Sequence, residues 1–151
     1  MKREESREII NRLFVDVFND ILYLEQNYIH DKLHDRVTVN EVHVMEKIQL
    51  ADKKSMGNIA KQLMITEGTL TTSINRLVQK GFIKRTRDAS DKRVYLLSLT
   101  SSGEEVLRVH EEFHDLMVEE VINNPDIGDN LIDSLVHLQD FFNELKGIYG
   151  K

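Results

Sequence analysis

Apolar residues recur along this chain at two periods, and the switch between them marks out its parts. From about Glu5 to about Leu33 the spacing is helical. Ile9, Ile10, Leu13, Phe14, Val17, Phe18, Ile21, Leu22 and Leu24 cover one broad face, which Glu25, Tyr28 and Ile29 extend. Val37-Thr38-Val39 is β-like. Asn40 then caps a helix running to about Leu50, with Val42, Met45, Ile48 and Leu50 inward. Ala51-Asp52-Lys53-Lys54 reads as a solvated turn. Ser55 caps a short helix carrying Ile59, Ala60 and Leu63, and Thr66 caps a longer one on which Leu70, Ile74, Leu77 and Val78 form a single stripe. Gly81 stops that helix where a left-handed residue costs least.

The period then changes to two. Phe82–Thr86 and Val94–Leu99 read as paired strands joined by the charged loop 87–93. Thr100 caps a helix from Ser101 to about Asn123, with Val106, Leu107, His110, Phe113, His114, Met117, Val118, Val121 and Ile122 in a wide stripe. Asn123-Asn124-Pro125 breaks it, and a last helix runs from about Asp129 to Tyr149. The expected fold is therefore mainly α with a small β-wing, a winged helix-turn-helix between long terminal helices. It is one structural domain in three parts: an N-terminal helix (1–36), a winged helix-turn-helix lobe (37–100) and C-terminal helices (101–151). So much apolar surface on the first helix is hard to bury in a domain this small, which suggests a partner helix.

The stretch from Ser55 to Thr100 carries the chemistry. On a helical wheel Thr72 lies opposite the stripe of the second helix, with Gly68, Thr69, Asn75, Arg76 and Gln79 beside it, and only Glu67 is acidic. Small hydrogen-bonding side chains suit close approach to a DNA major groove: Asn can pair with adenine, Arg with guanine, and a Thr methyl can touch thymine. These two helices alone are equally compatible with a packed helical hairpin. The strand pair adds a wing, placed to reach the backbone or minor groove. Charge agrees. Residues 55–100 hold eight Lys/Arg against three acids, a net +5 inside a chain of −6, which leaves −11 for the rest.

Other classes are disfavoured. The 151 residues contain no cysteine, so disulfides, thiol catalysis and the commoner structural zinc sites are ruled out. There is no Gly-rich phosphate loop, G-x-S-x-G or H-E-x-x-H, so no catalytic residue is assigned and no cofactor is required. No run of 18 apolar residues occurs and the charged N-terminus is not signal-like, so a cytoplasmic protein without membrane contact is expected.

The run Thr69-Leu70-Thr71-Thr72-Ser73-Ile74-Asn75-Arg76-Leu77-Val78-Gln79-Lys80-Gly81-Phe82-Ile83, followed by Asp91-Lys92-Arg93 and Leu97-Ser98-Leu99-Thr100-x-x-Gly103, resembles the MarR family of dimeric bacterial transcription regulators. The resemblance implies a homodimer reading a near-palindromic operator, with half-sites roughly 10 bp apart. It implies that Thr69, Thr72, Ser73, Asn75 and Arg76 face the bases. Ser55, Thr66, Arg87, Lys92 and Arg93 would meet the backbone or minor groove, with Asp91 orienting Arg93.

Two effectors stay open. Val39-Asn40-Glu41-Val42-His43, the run Leu63–Ser73 and the run His110–Glu119 look like the FabT-type repressors of fatty-acid synthesis genes in Gram-positive bacteria. In these the corepressor is a long acyl chain on acyl carrier protein, which implies an apolar tunnel. Phe14, Phe18, His43, Met45, Ile48, Met64, His110, Phe113 and His114 are its candidate lining. Each of these is as readily plain core. Zinc-responsive members of the same family use His and acidic residues from these regions, which makes Glu25, His43, His110 and His114 candidate ligands; His110 and His114 share one helix face. A winged-helix protein-interaction module without DNA binding is the reading from another class, and it leaves the basic segment without a role.

Overall fold

The computed structural model describes residues 3–127 and 129–150. In chain order the elements are α1 (Arg3–Leu33), a 3-10 turn (His34–Arg36), α2 (Val39–Leu50), α3 (Met56–Leu63), α4 (Glu67–Gln79), β1 (Ile83–Arg87), β2 (Tyr95–Leu99), α5 (Ser101–Ile122) and α6 (Asp129–Tyr149). Among the described residues no helix is long and apolar enough to cross a membrane. The chain divides into two compact units, one up to Phe113 and one from His114 onward.

The first unit is built on one core. Ile29 and Leu33 of α1 join Val42, Met45 and Ile48 of α2, Ile59 and Ala60 of α3, and Leu70, Ile74 and Leu77 of α4. Phe82, Ile83, Leu97, Leu99, Val106 and Leu107 close it from the wing and α5. Burying such a side chain contributes about 1.5–3 kcal/mol, whereas a hydrogen bond nets about 0.5–1.5 kcal/mol. Packing therefore holds the lobe together, and the caps decide where each helix begins. Ser55 Oγ accepts from Asn58 N and Thr66 Oγ1 from Thr69 N, as expected of N-caps. Gly81 takes φ +78°, and Phe82 N donates to Leu77 O at 3.0 Å to close the end of α4.

Several sequence expectations need correction. Val37-Thr38-Val39 is not a strand, and Asn40 is not the cap of α2. Thr38 caps it: Thr38 Oγ1 accepts from Glu41 N at 3.3 Å while the Glu41 carboxylate accepts from Thr38 N at 2.9 Å. This reciprocal capping box outweighs the β-propensity of two valines and a threonine. Leu50 does not point inward but is 70% exposed, because two residues after Ile48 it lies about 200° round the helix, on the outer face of α2. Val78 leaves the α4 stripe and lies 39% exposed at its edge. The strands are also displaced by a residue, with Arg87 ending β1 rather than opening the loop.

The ribbon is antiparallel, pairing Ile83 with Leu99 and Arg87 with Tyr95. It is anchored at both ends of the lobe. Leu97 N donates to Lys54 O at 2.8 Å, and Ser55 bridges to Leu96, which ties β2 to the chain entering α3. At the other end Thr100 N donates to Phe82 O and Thr100 Oγ1 to Gly81 O, while Thr100 Oγ1 accepts from Gly103 N. The Thr100-x-x-Gly103 motif is thus a structural junction. In the second unit, Phe141 and Phe142 have ring centroids 5.6 Å apart. Leu131, Ile132, Leu135, Val136, Ile148 and Tyr149 of α6 are exposed apolar side chains.

A Cβ at Gly103 would lie 2.2 Å from the Phe82 carbonyl oxygen, so any side chain there must displace backbone. Gly103→Ala should cost about 1–3 kcal/mol, in the range of overpacking substitutions, read as a lower denaturant midpoint. An unchanged midpoint would mean that α5 does not approach Phe82 this closely.

Candidate nucleic-acid interface

The outer surface of α4 follows from its sequence. Leu70, Ile74 and Leu77 are buried, so the helix turns Thr69, Thr72, Asn75 and Arg76 outward, all exposed, with Ser73 half-buried beside them. Their hydroxyls are already ordered. Thr71 Oγ1 donates to Glu67 O at 2.7 Å, Thr72 Oγ1 to Gly68 O at 3.3 Å and Ser73 Oγ to Thr69 O at 3.5 Å. With the donor turned back on the helix, Thr72 presents a methyl and acceptor lone pairs. These suit a thymine methyl or a base amino group. Asn75 Oδ1 accepts from Arg85 Nη2 of β1. Thr66 is exposed at the N-terminus of α4, where free amides and the helix dipole favour a phosphate.

The wing tip is held by two aspartates. Asp91 Oδ1 accepts from Arg93 N at 3.0 Å and from Arg93 Nε at 3.3 Å, while the Arg93 side chain is 92% exposed. The arginine is therefore aimed at its base and open at its end, as the family resemblance implied. Asp88 Oδ1 accepts from the Ser90 hydroxyl and amide and from Asp91 N. The Ser90 hydroxyl, then the Asp91 and Ser90 amides, hold the Asp88 carboxyl below the usual aspartate value. The sequence reading missed Asp88. Its signal, an Asp two residues before a Ser in a tight loop, is that of an Asx-turn. Arg87 lies over the Tyr95 ring, 5.4 Å from its centroid, and Lys92 is exposed beside Arg93. Ser55 stands apart from this face: it is buried, and its hydroxyl is spent on the α3 cap.

Below this surface lie two polar ties. Lys80, which caps the C-terminus of α4, donates to both Glu41 oxygens at 2.9 and 2.7 Å. Burial pushes the Glu41 carboxyl up, but the bonds from Lys80 and the Thr38 amide, with the Lys80 charge, outweigh it and leave the group lowered. The second tie is Glu25, buried on α1. Its Oε1 meets His43 Nε2 of α2 at 2.9 Å and His110 Nε2 of α5 at 2.6 Å, and the two rings stand 5.5 Å apart. The structure thus brings together three of the four candidate metal ligands, whose ligand atoms lie within 4.8 Å of one another. His114, the fourth, is exposed and falls in the second unit.

The candidate effector lining is not gathered in the same way. Phe14 and Phe18 lie on the open face of α1, and Met45 and Ile48 are packed in the closed core. Phe113 is buried against Tyr28. Met64 sits in the turn after α3 at φ +56°, 75% exposed. A cleft of about 300 Å³ does open between α1 and the start of α2, walled by Leu22, Ile29, Val37 and Val39.

A helix pair with an acid-poor outer face, flanked by a basic two-stranded ribbon, defines a winged helix-turn-helix DNA-binding lobe. Comparison with known proteins agrees. Residues 37–95 match the model of the MarR family. The structure of Streptococcus pneumoniae FabT in complex with DNA is 32% identical, spanning 93% of this chain and 99% of that one, with a TM-score of 0.85. A MarR variant from E. coli complexed with operator DNA shares the fold at TM-score 0.72 and 21% identity, over 94% of this chain and 99% of that one. The transcriptional regulator SarZ of Staphylococcus haemolyticus is 29% identical over 107 residues, covering 71% of this chain and 72% of that protein. The chain belongs to the MarR family. It is a DNA-binding transcriptional regulator, not an enzyme.

Arg93→Ala should weaken binding to all duplexes alike and reduce the salt slope by about one, the loss of one phosphate contact, while leaving the melting temperature unchanged. An unchanged slope would take the wing off the DNA.

Proposed function

We propose that this protein is a homodimeric repressor of fatty-acid synthesis genes whose DNA affinity responds to a long acyl chain carried on acyl carrier protein. The observation that carries the reading is the similarity to FabT over nearly the whole of both chains. It is strengthened by the three runs at Val39–His43, Leu63–Ser73 and His110–Glu119 that resemble FabT-type repressors. Ile10, Leu13, Phe14, Val17, Phe18, Ile21 and Leu24 are exposed on α1 at helical spacing. A second copy of the chain covers them, and the two recognition helices then meet a near-palindromic site in the cytoplasm. An acyl chain acts by favouring one spacing of the two lobes, so its effect on DNA equals its differential affinity for the two states. The cleft beside Leu22 and Ile29 is of a size that small-ligand sites use.

A second reading rests on the Glu25–His43–His110 cluster: the protein is a zinc-responsive regulator of the same family. Both Nε2 atoms already point at one carboxylate oxygen. A zinc ion would draw these donors to about 2.0–2.1 Å from itself, with both nitrogens free of protons.

Titrating the protein on a fatty-acid synthesis promoter fragment separates the readings. A long-chain acyl carrier protein should change affinity by on the order of 5–150-fold, with zinc and chelator without effect. A response to zinc alone would replace the first reading by the second, and a response to neither would contradict both.

A further inference from the structure

Pleating puts Ile83, Arg85 and Arg87 on one face of β1. Ile83 is buried in the core of the lobe, so this face is turned toward the helices. Arg87, at the outer end, is held over Tyr95. Arg85, in the middle, reaches α4 and donates from Nη2 to Asn75 Oδ1. Both residues are exposed and flank an open groove between α4 and β1 that Val78 and Gln79 also line.

The chemistry of that pair fixes an orientation. A guanidinium has only donors, so the atom it meets on Asn75 must be the carbonyl oxygen, and the amide group is turned away from β1. Bidentate recognition of adenine needs both ends of the carboxamide at once: Oδ1 to accept from N6, and Nδ2 to donate to N7. Here Oδ1 is engaged by a cation, a bond stronger than one from a neutral donor. Oδ1 keeps a second lone pair, but it is aimed at β1, so the group the carboxamide turns to a base edge is the amide donor. The edge that offers the most to a donor is that of guanine, with acceptors at both N7 and O6.

We propose that Arg85 is a specificity-determining positioning residue: by holding Asn75 Oδ1 against β1 it turns Asn75 from an adenine reader into a donor that favours guanine. The proposal rests on α4 being the base-reading helix. It assigns the strand that leads into the wing a part in sequence selection without contact to a base.

The test is selection of bound duplexes from a randomised library by the full-length protein, with Asn75→Ala, Arg85→Met, Arg85→Ala and Asn75→Ala/Arg85→Met compared with the parent. Asn75→Ala identifies the base pair whose preference depends on Asn75. At that pair the parent should favour guanine. Arg85→Met and Arg85→Ala should each shift the preference toward adenine by roughly fivefold or more, the scale of one bidentate contact. The double substitution should match Asn75→Ala there. Both positions are exposed, so melting temperatures should stay level. An equal loss of affinity for every sequence, with the preference at that pair unchanged, would make Arg85 a phosphate contact and overturn the proposal. So would a parent preference for adenine. A parent that selects no sequence would overturn the base-reading role of α4 itself, which is seen before any substitution is made.

Discussion

A carboxylate buried on a chain-terminal helix has to be met by other groups, and Glu25 imposes that constraint on the first unit. An ion of its kind taken out of water costs several kcal/mol unless its partners are well placed. Glu25 finds them on two other helices, His43 on α2 and His110 on α5. These contacts fix the register of the long flanking helices against the DNA-binding lobe at one point. Apolar packing around Ile29, Leu33, Val106 and Leu107 supplies the energy, but such packing tolerates sliding more readily than a bonded carboxylate does. From α2 the constraint passes on through Glu41, which closes the start of its own helix and holds Lys80 at the end of α4.

The other fixed point is the Phe82 carbonyl. It accepts from Thr100 and leaves no room for a side chain at Gly103. The wing therefore leaves α4 and enters α5 through one rigid corner, and its far edge is pinned to Lys54 and Ser55. Both ends of the ribbon are thus fixed to the lobe, and its tip is ordered locally. Asp88 and Asp91 organise that tip and leave the end of Arg93 open. The charge distribution matches this division, with basic residues gathered in a lobe of +5 and the acidic surplus elsewhere in the chain. The exposed apolar residues of α1 and of α6 lie outside that basic segment.

Much of this was legible in the sequence because it is local. Ser55, Thr66 and Thr100 could be recognised as caps, and Gly81 as a left-handed stop, since each acts on amides within a few residues of itself. The wing was legible from a change of period and from the Asp91-x-Arg93 pair. The errors came where two local signals competed. Val37-Thr38-Val39 has β-propensity, but Thr38 and Glu41 also spell a capping box, and the reciprocal bonds win. Val78 sits only at the rim of its helix's stripe and Leu50 falls on the face away from Ile48, so apolar type alone had placed them in the core. The pairing of Arg85 with Asn75, and the convergence of Glu25 with His43 and His110, join residues far apart in the chain. Their residue types stand in the sequence, but only the fold shows that they meet. The effector lining is legible only as residue types for a related reason: flexible and aromatic side chains line cores, open faces and ligand sites alike.

Whether DNA lies on α4 and the wing is read by chemical footprinting of arginine and lysine side chains in the free and DNA-bound protein. Arg76, Lys92 and Arg93 should become protected when duplex is added, while Arg7 and Arg12 on α1 and Lys146 on α6 react as before. Protection of the α1 or α6 cations, with Arg76 and Arg93 still reactive, would contradict the account and place the DNA elsewhere on the molecule.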